Sequence, residues 1–140
     1  MFSIRRVDGL QDSQAALLKW LQLDILSVDT PLQTNTGWWW VLYCGTEPIG
    51  FCSLHKSSKW SDTGYLSRAG VMTKYRGKGL QKRLINVRIR LAKQLKLNWL
   101  VSDTYYNPAS ANSLIRCGFQ MYLPTRQYGA EGTCYWRKKL

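Results

Sequence analysis

Hydrophobic and polar positions fall into blocks of changing period along the chain. Phe2-Ser3-Ile4-Arg5-Arg6-Val7 reads as a short opening strand, and Asp12 or Ser13 then caps a helix carrying Ala16, Leu17, Trp20 and Leu21 at helical spacing. Val28–Gly37 is polar, with Pro31, Asn35 and Gly37, and predicts a loop or a short helix. Trp38–Cys44 and Ile49–Leu54 are β-rich runs, and Gly45-Thr46-Glu47-Pro48 between them signals a hairpin. A polar loop, Lys56–Thr63, leads to a strand from Tyr65 to Met72. From Gly79 to about Leu97 the period is helical: Leu80, Leu84, Val87, Leu91 and Leu95 form an apolar stripe opposite Lys82, Arg83, Arg90 and Lys93. Trp99–Ser102 predicts a strand, and Pro108 opens a short helix for which Gly118 is the closing residue. Phe119–Leu123 and Gly132–Lys138 predict two final strands. Hairpins with one helical crossover imply an α/β fold: a mixed sheet with helices on both faces, in one domain over residues 1–140.

The chemistry concentrates where the Tyr65–Met72 strand gives way to the long helix. Gly77 and Gly79 carry the turn, and a helix start offers unpaired N–H groups and the positive end of the macrodipole. Arg76, Lys78 and Lys82 add full charges, so a phosphate or pyrophosphate is the natural guest. Two nucleotide motifs fail here. The P-loop spacing is absent, with no Ser or Thr after Lys78, and Lys82 stands where a dinucleotide fingerprint needs its third glycine.

Charge sharpens this picture. The net charge is +12, no Asp or Glu occurs from Thr63 to Ser102, and nine Lys or Arg fall between Lys74 and Lys96. Such a field suits phosphate ligands, acidic protein surfaces or nucleic acid, although most charge runs are solvated faces. Cys44, Cys52, Cys117 and Cys134 are widely spaced, and no secretory segment is evident, which implies reduced thiols in the cytoplasm. No run has the length of a membrane span, and a lone His55 with scattered cysteines predicts no metal site. The aromatic run Trp38-Trp39-Trp40 reads as alternating core packing; an exposed Trp39 would instead line a groove or a subunit interface.

Arg76-Gly77-Lys78-Gly79-Leu80-Gln81 resembles the acyl-CoA loop of the GNAT superfamily of N-acetyltransferases, [QR]-x-x-G-x-[GA], with Gln81 replacing the usual Gly or Ala. Asn107-Pro108-Ala109-Ser110-Ala111-Asn112-Ser113-Leu114-Ile115-Arg116-Cys117-Gly118-Phe119 resembles that superfamily's N-x-x-A-x-x-[LA]-Y-x-x-x-G-F segment. The element order is similar over nearly the whole chain, as in small single-domain bacterial or phage members. The resemblance implies a mostly antiparallel sheet in which two parallel strands, Tyr65–Met72 and Trp99–Asp103, splay around the acyl-pantetheine arm of acetyl-CoA. It implies cofactor contacts from Gly70, Val71, Met72, Arg76, Gly77, Lys78, Gly79, Leu80, Gln81, Lys82, Asn107 and Ser110, with Val71 offering an oxyanion N–H. Gly70 is expected to let the ligand approach, a bulge being the alternative, and Asn107 either bonds the pantetheine or caps a turn.

The catalytic end is less specified. Leu114 stands where many members carry the tyrosine acid, and Ser67 where they carry a carboxylate. Asp103 is then the candidate base, directly or through water, or a turn cap; Ser67 is a candidate to position a water. His55, Tyr105, Tyr106 and Tyr128 are weaker candidates, Glu47 reads as a solvated turn residue, and Arg68 is expected on the face opposite Ser67, pairing with substrate, Asp62 or Asp103. The implied activity is acetyl transfer from acetyl-CoA to a primary amine of a small molecule, peptide or protein, with acidic acceptors favoured by charge. The alternatives are a basic nucleic-acid-binding module and an acetyltransferase acting on aminoacyl-tRNA. Monomer and homodimer both stand.

Overall fold

The strands' alternating faces divide the protein into two cores, one on each side of a single sheet. A computed structural model describes residues 1–27 and 29–140; Val28, where the first polar loop was expected to begin, lies outside the described residues. The elements are β1 (Phe2–Val7), α1 (Asp12–Ile25), β2 (Trp38–Cys44), β3 (Glu47–Lys56), β4 (Thr63–Val71), α2 (Leu80–Gln94), β5 (Trp99–Tyr105), α3 (Pro108–Arg116), β6 (Gln120–Tyr122) and β7 (Thr133–Lys139). The sheet order is β1-β2-β3-β4-β5-β7-β6, antiparallel throughout except for the β4–β5 pair. That one parallel pair needs a crossover, which α2 supplies.

On one face α1 lays Leu18 and Leu21 against Trp39, Val41 and Phe51. On the other, α2 and α3 cover Trp40, Leu42, Leu54, Leu66 and Trp136. Adjacent tryptophans of β2 therefore serve opposite cores, as a period of two requires. Trp39 is 2% exposed and its indole N–H donates to the Thr36 carbonyl, so it lines no surface groove or subunit interface.

Several boundaries differ from the sequence expectation. Gln11, not Asp12 or Ser13, caps α1: its Oε1 accepts the Gln14 N–H at 3.0 Å, a geometry that short-side-chain cap rules overlook. Glu47 and Pro48 belong to β3, leaving a tight Gly45-Thr46 turn, and Glu47 accepts from Tyr75 Oη at 3.1 Å with Lys74 Nζ at 3.8 Å, so it is not merely solvated. On α2 the buried stripe is Leu80, Leu84, Ile85, Arg88, Ile89, Leu91 and Ala92. Val87 is half-buried and Leu95 lies at the exposed helix end, because α2 packs on both the sheet and α3 and needs a broader stripe than a single seam. Gly118, at φ +91°, follows α3 in the left-handed conformation that ends helices.

Candidate functional site

β4 and β5 pair only at Thr63–Trp99, Gly64–Leu100 and Tyr65–Val101; beyond this their ladder stops and the sheet opens. Backbone polarity on the open edge follows from the β3 side. Met72 N–H donates to Ile49 O at 2.8 Å, so by antiparallel alternation Gly70 and Met72 turn their polar groups to β3. Ala69 and Val71 turn theirs into the gap, where Arg76 Nε donates to the Val71 carbonyl at 3.0 Å. The backbone expected from Gly70 and Met72 is thus already paired, while Ala69, unremarked in the sequence, is open. The missing side chain of Gly70 makes room for α1, since a Cβ there would strike Ile25, and Gly70 also borders the larger cavity, beside the glycine turn; the β4 bulge lies elsewhere, opposite Ser53.

A 3-10 turn, Thr73–Tyr75, leads from β4 into the glycine turn. Gly77 and Gly79 hold φ of +80° and +74°, and nothing lies within 4 Å of a Cβ built on either, so backbone conformation is what requires glycine there. Gly79 is the N-cap of α2 and has no capping side chain. Among the described residues the N–H groups of Leu80, Gln81 and Lys82 meet no acceptor, the arrangement a helix start needs to hold an anion. Leu80 contributes only its N–H, since its side chain is buried in the core. Arg76, Gly77, Gly79, Gln81 and Lys82 line a cavity of about 420 Å³. Lys78 is exposed on the turn beside it. Across the cavity stand Asn107 and Ser110; Asn107 Oδ1 accepts the Ser110 N–H at 3.1 Å and caps α3.

A smaller cavity of about 130 Å³ lies in the gap, lined by Ser67, Ala69, Asp103, Ser113 and Leu114. Here the sequence expectation about β4 fails for a specific reason. The β3–β4 register shifts between Cys52 and Leu54, so Ser67 and Arg68 together oppose Ser53. This bulge breaks strict alternation. Ser67 reaches Ser53 and His55, and Arg68 donates to Thr30 O and Oγ1, both at 2.7 Å, with Asp29 at 4.0 Å. Both side chains point to the α1 face, and Arg68 pairs with Asp29 instead of Asp62 or Asp103. Beneath the bulge, Arg88 is 3% exposed and donates to the Ser53 carbonyl at 3.2 Å and to Leu84 O at 3.0 Å.

Asp103 is not a cap toward Asn107. Its Oδ2 accepts from Tyr65 Oη at 2.8 Å and Tyr128 Oη at 2.9 Å. Burial first, and the Asp103 charge second, raise both phenols above the ordinary tyrosine range, so each stays a proton donor to the carboxylate. Tyr105 and Tyr106 are exposed and stack edge-on. Leu114 is buried and offers no proton. His55 packs edge-on against Trp39, and burial, opposed by the Thr36 carbonyl, lowers its pKa. Ser53, Tyr65, Thr36 and Arg88 went unread because only the register and the bulge bring them to Ser67 and Asp103. Among the described residues no three His, Cys, Asp or Glu side chains gather as a metal site. Among the described residues no helix is long and apolar enough to cross a membrane.

The family profile described as "Acetyltransferase (GNAT) family" matches residues 9–119, and the chain belongs to that family of acetyltransferases. Solved structures share its fold. An IAA acetyltransferase from Bacillus cereus aligns with TM-score 0.76 and 19% identity over 100% of both chains. A Bacillus subtilis acetyltransferase in complex with CoA aligns at 0.73 and 17%, over 100% of this chain and 99% of the other. yncA from Salmonella typhimurium, with its cofactor acetyl-CoA, aligns at 0.77 and 16%, over 99% and 93%. No curated protein matches the chain in sequence.

Proposed function

We propose that this chain transfers the acetyl group of acetyl-CoA to a primary amine, within one domain and in the cytoplasm. The observation that carries the reading is a single cavity onto which both the uncapped start of α2 and the unpaired edge of β4 open. The pyrophosphate sits on the N–H groups of Leu80, Gln81 and Lys82, with Arg76, Lys78 and Lys82 as counter-charges and the glycines giving close approach. The pantetheine runs between Ala69 and Val71 on one side and Asn107 and Ser110 on the other. Val71 N–H then meets the thioester oxygen as it becomes an oxyanion. Asp103, fixed by two phenols, faces the incoming amine and holds it by charge.

Titration calorimetry with acetyl-CoA tests the cofactor half. Wild type should bind below about 1 mM, and Arg76→Glu should weaken binding at least about tenfold, or about 1.4 kcal/mol. Absence of heat from the wild type sinks the reading. Acetylation of a panel of polyamines, peptides with free amino termini and aminoacyl-tRNA then identifies the acceptor.

One observation favours an acidic or nucleic-acid-borne acceptor. Lys82, Arg83, Arg90 and Lys93 are exposed along α2, and the ion pairs among the described residues engage only Arg68 and Lys74. Aminoacyl-tRNA as acceptor predicts a steep fall of binding with salt; a flat salt response removes it.

A further inference from the structure

A hydrogen-bond chain runs along the α1 face of the β4 bulge. It begins at the Arg68 backbone N–H, which donates to Ser53 Oγ at 3.0 Å. Ser53 Oγ lies 2.6 Å from Ser67 Oγ, which in turn lies 2.6 Å from His55 Nδ1. The other edge of the ring lies over Gly37. The glycine makes that approach feasible, since a Cβ there would stand 2.6 Å from Nε2.

The Arg68 end has only one polarity: an amide N–H can only donate, so Ser53 Oγ accepts there and keeps its own proton to give. A ring proton on Nε2 makes Nδ1 an acceptor. Ser67 gives its hydroxyl proton to Nδ1, so the short Ser53–Ser67 contact requires Ser53 to donate. Ser67 Oγ is left with one lone pair, and Ser67 is a lining residue of the gap with Ala69 and Asp103. A hydroxyl hydrogen-bonded to a neutral imidazole, on a residue that borders the gap, is the arrangement of a base relay.

We infer that Ser67 takes the proton of the acceptor amine and passes its own to His55. The inference rests on the acetyl-transfer reading and supplies the base that the missing carboxylate leaves unassigned. As the amine nitrogen bonds to the thioester carbon, its N–H bond breaks and that proton joins Ser67 Oγ. The Ser67 hydroxyl proton moves to Nδ1, making an imidazolium. The C–S bond then breaks with its electron pair on sulfur, the thiolate takes a proton from water, and the imidazolium returns one to water. Ser67 is the catalytic residue of this relay, and His55, acting through it, is the positioning residue. The ionisable groups on the elements around His55 are Tyr65 and Arg68 of β4, Lys56 of β3 and Asp29 before β2. Burial of the ring disfavours the imidazolium and lowers the His55 pKa.

His55 is the only histidine of the chain, so its imidazole nitrogen NMR spectrum is a single-residue measurement. The expected result at pH 7 is a neutral ring protonated on Nε2. A ring protonated on Nδ1, or on both nitrogens, overturns the relay whether or not an acceptor has been found. With the fastest amine of the panel, Ser67→Ala and His55→Gln should each lower kcat/KM at least about 100-fold, while Ser67→Thr restores the rate. His55→Gln should also remove the acid limb of the pH–rate profile, with acetyl-CoA affinity unchanged in every variant. A folded His55→Gln enzyme with wild-type rate and pH profile refutes the relay and leaves acetyl transfer standing. A wild type that binds no acetyl-CoA refutes the transfer reading itself.

Discussion

The two ends of the cleft are built by different means. The helix-start end, where we propose the pyrophosphate sits, is backbone: two glycines at positive φ and three helix-start N–H groups, all within Gly77–Lys82. The reacting end is side chain, assembled from β3, β4, β5 and the loop before β7: Ser53, His55, Ser67, Asp103 and Tyr128. A backbone site tolerates change in its neighbours as long as φ is kept, whereas a side-chain site depends on register over tens of residues.

Placing a β-branched residue at Gly79 should separate the two ends with the largest effect. A residue other than glycine at φ +74° costs about 1–2 kcal/mol, and the Cβ meets no protein atom within 4 Å, so the added bulk enters the cavity. Gly79→Val is expected to weaken acetyl-CoA at least about 100-fold by calorimetry, equivalent to about 2.7 kcal/mol. The His55 imidazole spectrum should remain that of the wild type. Retained affinity would show that the pyrophosphate lies elsewhere, and a changed spectrum would show that the ends are coupled.

The same division explains what could be read from the sequence. The glycine turn and the crossover helix were legible because each is set by residues adjacent in the chain, whereas the splayed strand pair came from the family resemblance. Tight turns and helix starts write their requirements locally. The reacting end was legible only as a list of residue types. The bulge at Ser67 and Arg68 leaves no mark in the hydrophobic pattern, and without it alternation sends Arg68 to the wrong face. Arg88 is a further case. It stands among the exposed cations of α2 in sequence, yet its buried guanidinium braces the Ser53 carbonyl beneath the bulge, with no carboxylate beside it. Burial pulls its pKa down from the ordinary arginine value.

Gly70 sits at the border of the two regions and gives an intermediate effect. Its side-chain position is filled by Ile25, so Gly70→Ala overpacks the α1 face and should destabilise by about 1–3 kcal/mol in chemical denaturation. Ile25→Ala removes the Cγ2 atom in the way, so the double variant should recover most of that loss, a non-additivity expected of touching residues. Acetyl-CoA affinity of the folded Gly70→Ala protein should be unchanged. Were stability intact and affinity lost, the glycine would serve the ligand after all.

The smallest expected effect tests how Asp103 is held. Tyr65 and Tyr128 donate to the same carboxylate oxygen, so losing one phenol leaves the other in place. Tyr128 is also partly exposed, where water replaces a lost partner at little cost. Tyr128→Phe should therefore change stability by no more than about 1 kcal/mol. Both phenol pKa values are raised from 10.0, so their hydrogen bonds stabilise the fold fully below pH 10 and are lost only as pH rises through the higher folded values. Denaturation midpoints of wild type and variant should accordingly run parallel with pH up to that point. If Asp103 holds the amine by charge, Tyr128→Phe loosens its aim and raises KM for the amine a few-fold, leaving kcat and acetyl-CoA affinity as they were. A fall in kcat with an unchanged KM would instead place Asp103 in the proton transfer itself, in competition with Ser67 and His55.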